Sequence, residues 1–218
     1  METTSCHATL DGRGKSITTF VVFQAAKRLA AMADGEILEI VTDDLESLAA
    51  DVAAWCESTG QRLLSSESTP DGRRFLVEKG APRRTTKKLA MIVSQDGLEE
   101  LLSPLGFALA AALEGIEVHI YFQGPAVHVL ARGFRPRLRG WSRPFSRFAA
   151  AGMSKAGHIG AQAKLEQLRS LGAHLYVCGP SLQHFKVARD RLVFDDVRLV
   201  AYLTFMAVME KADIHIYS

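Results

Sequence analysis

The alternation of apolar and polar positions divides the chain into two successive runs of elements. Residues 7–11 read as a short strand, and Gly12 and Gly14 mark a turn after it. Over residues 18–34 the apolar groups Val22, Ala25, Ala26, Leu29 and Met32 recur at helical spacing, with Thr18 or Thr19 to cap the start and Gly35 to end it. Residues 36–42 alternate as a strand. Asp43 or Asp44 then predicts the cap of a second helix over 45–58, which Gly60 stops. Strands over 61–67 and 73–78 flank the turn signal Pro70-Asp71-Gly72. The order βαβαββ predicts an α/β sandwich of two layers, helices on one face of a sheet, over residues 1–80.

Residues 79–88 (KGAPRRTTKK) are basic, contain Gly and Pro and carry no hydrophobic period, as a linker does. A second domain, 87–218, opens with LAMIVS (89–94), an unbroken apolar run suited to a buried parallel strand. Asp96 and Gly97 close that strand. A helix follows over 98–114, in which Pro104 either kinks the helix or marks its first turn. Next come a strand at 116–122, an irregular Arg- and Gly-rich stretch at 124–160, a helix at 161–171 and a strand at 173–178. Gly179-Pro180-Ser181 opens another helix. A strand near 197–201, a helix at 202–211 and a strand at 213–217 complete the pattern. Strands alternating with helices predict a three-layer α/β domain with a mainly parallel sheet.

Composition narrows the class. The 218 residues are 48% hydrophobic and 23% charged, enough apolar material for one core or two small ones. The net charge of +2 is too small by itself to imply a nucleic-acid partner. METTSCHATL lacks the basic and apolar regions of a signal peptide, and charge or glycine interrupts every apolar stretch before membrane-spanning length. The three cysteines, Cys6, Cys56 and Cys178, are widely spaced with no CxxC, which argues against a disulfide framework or a structural zinc site. The expectation is a cytoplasmic protein with free thiols.

Among these thiols Cys178 has the most favourable position, at the end of a strand where Gly179-Pro180-Ser181 starts a helix. Ligand sites of parallel sheets gather at the carboxyl ends of strands, and a helix N-terminus favours a thiolate or persulfide. The Gly179 N–H or Ser181 can donate a hydrogen bond there, and His184, six residues on, is a further candidate neighbour. Ser94, at the end of the first strand of the second domain, is a candidate for the same rim. Free cysteines are also common as small buried residues, and position alone leaves both readings open. Cys56 is expected to pack on the sheet with Trp55, and Cys6 to be exposed. The seven histidines show no ligand spacing, so no metal is expected; His119 and His215 read as structural. Gly157 and Gly160 do not make a dinucleotide fingerprint.

Residues 132–147 hold Arg132, Arg135, Arg137, Arg139, Arg143 and Arg147 with no acid, interleaved with Phe134, Trp141 and Phe145. Such a segment suits an anionic or acidic surface, or an oligomer contact that buries the aromatics; nucleic acid is not favoured.

Two resemblances sharpen this reading. The first 80 residues resemble the TusA/SirA sulfur-carrier domain, on Leu10-Asp11 with Arg13-Gly14, LEIVTDD (38–44), WCESTG (55–60) and the final hairpin. That family carries its persulfide on the cysteine of a Cys-Pro-x-Pro motif. Here Ile17 falls where the cysteine would be, with Thr18 and Phe20 at the proline positions, so the carrier chemistry is lost. Residues 87–218 resemble the DsrE/DsrF-like family, including members labelled peroxiredoxin-like, on KKLAMIVSQDGLEELLSPLGFALAAALEG (87–115), VHIYFQG (118–124), AAAGMSKAGHIG (149–160), LGAHLYVC (171–178) and KADIHIYS (211–218). The resemblance implies a sulfur-binding role for Cys178, possession of a homo-oligomeric state, and a sulfur-carrier or thiol-bearing protein as partner. The resulting expectation is a sulfur-relay protein of the sulfurtransferase kind, carrying persulfide on Cys178, that requires no metal or organic cofactor and uses its first domain for docking. The alternative is a non-catalytic binding or regulatory module, or a protein that recognises an anionic partner through 132–147.

Overall fold

A computed structural model describes residues 6–15, 18–83, 85–136, 138 and 159–218. The chain divides into two compact units, the first built mainly from residues before Thr85 together with Leu113–Gly115 and the second mainly from residues after Arg84.

In the first unit β1 (Ala8–Asp11), α1 (Thr18–Ala30), β2 (Ile37–Thr42), α2 (Glu46–Thr59), β3 (Arg62–Thr69) and β4 (Gly72–Glu78) follow in the expected βαβαββ order. The sheet order is β1-β2-β4-β3. β1 runs parallel to β2, and β4 is antiparallel to both of its neighbours. The period-2 pattern of β2 turns Leu38, Ile40 and Thr42 inward. Val21, Val22, Ala25 and Leu29 of α1 and Leu48, Val52, Trp55 and Cys56 of α2 supply the buried helical positions. Asp43 and Asp44 do not cap α2; the N-cap is Leu45, without a side-chain bond. Stronger partners claim both carboxylates. Asp43 accepts the Gly14 N–H at 2.9 Å, and Asp44 binds Ser68 and, at 2.7 Å, the Arg73 guanidinium. Gly60 ends α2 in the left-handed conformation, as its position predicts.

In the second unit β5 (Lys88–Val93), β6 (Glu117–Phe122), β7 (His174–Cys178), β8 (Arg198–Val200) and β9 (Ile214–Tyr217) form one sheet, ordered β8-β7-β6-β5-β9. Every pairing is parallel. The helices α3 (Leu98–Leu113), α4 (Ala161–Ser170), α5 (Gly179–His184) and α6 (Tyr202–Met209) lie between the strands in sequence. Pro104 sits inside α3, well past its first turn. The stretch after β6 that reads as irregular begins with a 3-10 helix, Gly124–Leu130, four of whose side chains are buried. No helix among the described residues is long and apolar enough to cross a membrane.

Parallel strands in register share faces, so the pairings Ile92↔Tyr121, Tyr121↔Tyr176 and Tyr176↔Arg198 define one row across the sheet. The next row toward the carboxyl edge pairs Cys178 with Val200. Ala90, Tyr121, Tyr176, Cys178 and Phe205 form a buried cluster there, so α6 covers this face.

The hairpin of the first unit gives a stability test. Gly72 has φ +127°, and a Cβ on it would lie 2.1 Å from the Thr42 carbonyl oxygen. Gly35 has φ +84° but open space around it. Gly72→Ala is expected to cost about 3 kcal/mol, against about 1 kcal/mol for Gly35→Ala, in urea denaturation.

Candidate functional site

Cys178 is both the last residue of β7 and the N-cap of α5. Its side chain is fully buried. Three aromatic rings, Tyr121, Tyr176 and Phe205, share its buried cluster, and the exposed Tyr202 at the start of α6 adjoins them. Tyr121 stacks on Phe205 with centroids 4.7 Å apart, Tyr176 meets Phe205 edge-on at 5.4 Å, and Tyr202 meets Tyr121 edge-on at 6.4 Å.

Burial pushes the Cys178 thiol up, since a thiolate is poorly solvated in an apolar interior. Hydrogen bonds reverse that effect. The Ser181 hydroxyl, the Tyr121 hydroxyl, the Ser181 backbone N–H and the Tyr202 hydroxyl all favour the charged form, and the net displacement is below the ordinary thiol value. The Ser181 hydroxyl is prepared for this task. Its oxygen accepts the Gly124 N–H at 3.0 Å, which leaves its own hydrogen for the sulfur. Gly124 itself needs a left-handed φ of 54° to present that N–H. Burial, followed by the Cys178 contact, pushes the Tyr121 phenol up, so it stays protonated and remains a donor. The Tyr121 hydroxyl is buried and makes no hydrogen bond of ordinary length in the resting structure. It acts on the sulfur as a nearby donor without closing a well-formed hydrogen bond to it.

The other expected site residues are placed differently. The N–H acting on the thiol is that of Ser181, and Gly179 is not among its principal partners. α5 is only six residues long, so side-chain hydroxyls, rather than a long helix dipole, set the thiol's electrostatics. His184 is exposed in the last turn of α5 and its ring packs against Phe185. Ser94 does not point its hydroxyl at the thiol; the hydroxyl and the Ser94 N–H both bond the Ser218 carbonyl, at 2.5 and 2.7 Å, fastening β5 to β9. Cys56 is buried and desolvation pushes it up to about 12, which makes it inert. Cys6 is half-buried rather than exposed. Arg135 is exposed, while Arg137, Arg139, Arg143 and Ile17 lie outside the described residues.

Two contributors were not evident in the sequence. Tyr121 lies two residues beyond His119 on β6, and only the β6–β7 register reveals that it faces the Cys178 side. Tyr202 arrives from the start of α6, with no motif to mark it. A separate Asp96–His128 pair, 2.9 Å apart, joins the loop after β5 to the 3-10 helix after β6, with the His128 ring edge-on to Phe185 at 5.3 Å.

The model of the DsrE/DsrF-like family matches residues 87–217, the whole of the second unit's sheet. The chain belongs to the DsrE/DsrF-like family. Ahead of that DsrE-like domain, residues 20–79 match the model of sulfurtransferase TusA, so the chain is a fusion of the two domain types. The TusA match starts three residues after Ile17, beyond the position of the carrier cysteine. No curated protein matches the chain. Among solved structures it is similar to the ychN protein from E. coli, at 13% identity and a TM-score of 0.44, over 61% of this chain and 100% of that one. TusA and DsrE are sulfur-relay families that work with other proteins, which gives this DsrE-like chain a general role in sulfur transfer and a protein partner.

The hydroxyl cradle has a direct readout. Ser181→Ala is expected to raise the Cys178 thiol pKa, because it removes a hydrogen bond to the charged form. The pH dependence of iodoacetamide alkylation, followed residue by residue by mass spectrometry, measures it, with Cys56 unlabelled in the native protein throughout.

Proposed function

We propose that Cys178 carries sulfane sulfur as a persulfide between two protein partners. The observation that supports this most is a fully buried thiol whose neighbouring donors, the Ser181, Tyr121 and Tyr202 hydroxyls and the Ser181 N–H, outweigh its desolvation. The Cys178 thiolate attacks the outer sulfur of a donor persulfide. The donor S–S bond breaks, the donor leaves as a thiolate, and Cys178 becomes Cys–S–S⁻. An acceptor thiolate then attacks the outer sulfur, and Cys178 returns as a thiolate. No electron is gained or lost overall, and neither step calls for a metal or organic cofactor. The terminal sulfur of the persulfide is an anion, which the Tyr121 and Tyr202 hydroxyls stabilise, while Ser181 holds the inner sulfur. Tyr202 is 60% exposed and sits at the first residue of α6, so its displacement opens the thiol to a partner.

The first domain, with Ile17 at the carrier position, serves as the docking module for a sulfur-carrier or thiol-bearing protein. The reading places this exchange in the cytoplasm and in a homo-oligomer.

The burial of Cys178 also favours a second reading, a binding or regulatory module in which the cysteine only fills the core. One experiment separates the two. After incubation with a persulfide donor, intact mass is expected to rise by one sulfur in the wild type and to stay constant in Cys178→Ser. An unchanged wild-type mass, or sulfur loaded on Cys6 alone, refutes the relay and leaves the binding module. Tyr121→Phe is expected to load but to lose its sulfur to a small thiol several-fold faster, because the persulfide anion has lost a donor.

A further inference from the structure

At the opposite, amino-terminal end of the same sheet face lies a second cluster that the sulfur chemistry does not use. Glu117 and His119 are two residues apart on β6 and so point to one side. His174 is the first residue of β7 and is the register partner of His119. The two imidazole rings stack with centroids 4.9 Å apart and planes inclined by 29°. One donor atom from each of Glu117, His119 and His174 lies within 4.8 Å of the others. Glu117 Oε1 is 2.9 Å from His119 Nε2 and 3.7 Å from His174 Nε2.

From this geometry we infer a mononuclear site for a divalent transition-metal ion of the zinc type, with Glu117, His119 and His174 as its three protein ligands. Two imidazoles and a carboxylate are the donor set that Zn²⁺ accepts when a fourth position is left to water. Each ligand is supported from outside. Glu117 Oε2 is held by the Lys88 ammonium at 2.9 Å, which presents Oε1 to the histidines. His119 Nδ1 is 3.0 Å from the Tyr176 hydroxyl. A tyrosine hydroxyl both donates and accepts, so it holds the ring with Nε2–H bonded to Glu117, and equally with Nδ1–H bonded to tyrosine and the Nε2 lone pair on a metal. The side chains of Glu117 and His174 are 40% and 37% exposed, which gives an ion a path in. His215 occupies the same row of the sheet, paired with Ala90, but its Nε2 is 2.8 Å from the Met209 carbonyl and it is not a ligand. Lys88 and the Arg198 guanidinium, stacked 5.7 Å from the Tyr176 ring centroid, are cations near the site and limit its affinity relative to a closed thiolate site.

The test uses the full chain without an affinity tag and Zn²⁺ alone as the probe. Equilibrium dialysis is expected to give one bound zinc per chain in the wild type and in Cys178→Ser alike. Affinity is expected to fall at least about tenfold in His174→Ala and in Glu117→Gln, both partly exposed positions whose folding circular dichroism verifies. Substituted Co²⁺ is expected to show the visible bands of a nitrogen- and oxygen-ligated ion without a thiolate charge-transfer band. Zinc uptake that persists unchanged in His174→Ala, uptake lost in Cys178→Ser, or no uptake with micromolar zinc in excess of protein overturns the assignment.

Discussion

The site rests on a balance between desolvation and hydrogen bonding at one sulfur atom. A thiolate withdrawn from water is destabilised, and a fully buried cysteine in an aliphatic core stays protonated, as Cys56 does. Cys178 is just as inaccessible, yet its equilibrium shifts the other way. The difference lies in who stands nearby. Hydrogen bonds to a charged group contribute about 1.5–3 kcal/mol each, and one pKa unit corresponds to about 1.4 kcal/mol, so a few aligned donors suffice to reverse the effect of burial. Those donors come from three segments: the start of α5, the carboxyl end of β6 and the start of α6. The sheet order, the sharp strand-to-helix junction at Gly179 and the covering position of α6 all serve to bring them to one atom.

The two ends of this sheet face do different work. The carboxyl end holds a soft nucleophile among hydroxyls, in an apolar enclosure that keeps water away. The amino end holds imidazoles and a carboxylate with charged neighbours and open access. Tyr121 and Tyr176, adjacent in one row, separate the two. Tyr121 neighbours the sulfur and the Tyr176 hydroxyl contacts His119, so two similar residues in register face different groups.

Much of this was legible in the sequence, and the rest fails for identifiable reasons. The period-2 and period-3.6 patterns mark the βαβαββ unit and the alternating second domain because burial of one face imposes those spacings locally. Cys178 was visible because a strand end, Gly-Pro and Ser are contiguous signals. Asp43 and Asp44 read as helix caps because nothing local reveals Arg73, Ser68 or the Gly14 N–H, which reach them only after the sheet forms. His184 read as a neighbour of the thiol because it is close in sequence, but a short helix carries it away to solvent. Tyr121, Tyr202 and the pairing of His119 with His174 depend on strand register and helix placement, and neither leaves a trace in residue spacing. The resemblance to sulfur-relay families supplied the chemistry that spacing could not, and Ile17 stands where the first family carries its cysteine.

The most direct measurement of the central claim is the ionisation of the Cys178 thiol itself. Thiolate absorbance of the native protein, titrated with pH and corrected by the same titration of Cys178→Ser, isolates that one group. The expected result is a midpoint below that of an unperturbed cysteine, about 8.5. A midpoint at or above that value, like that of a cysteine buried without donors, would contradict the account.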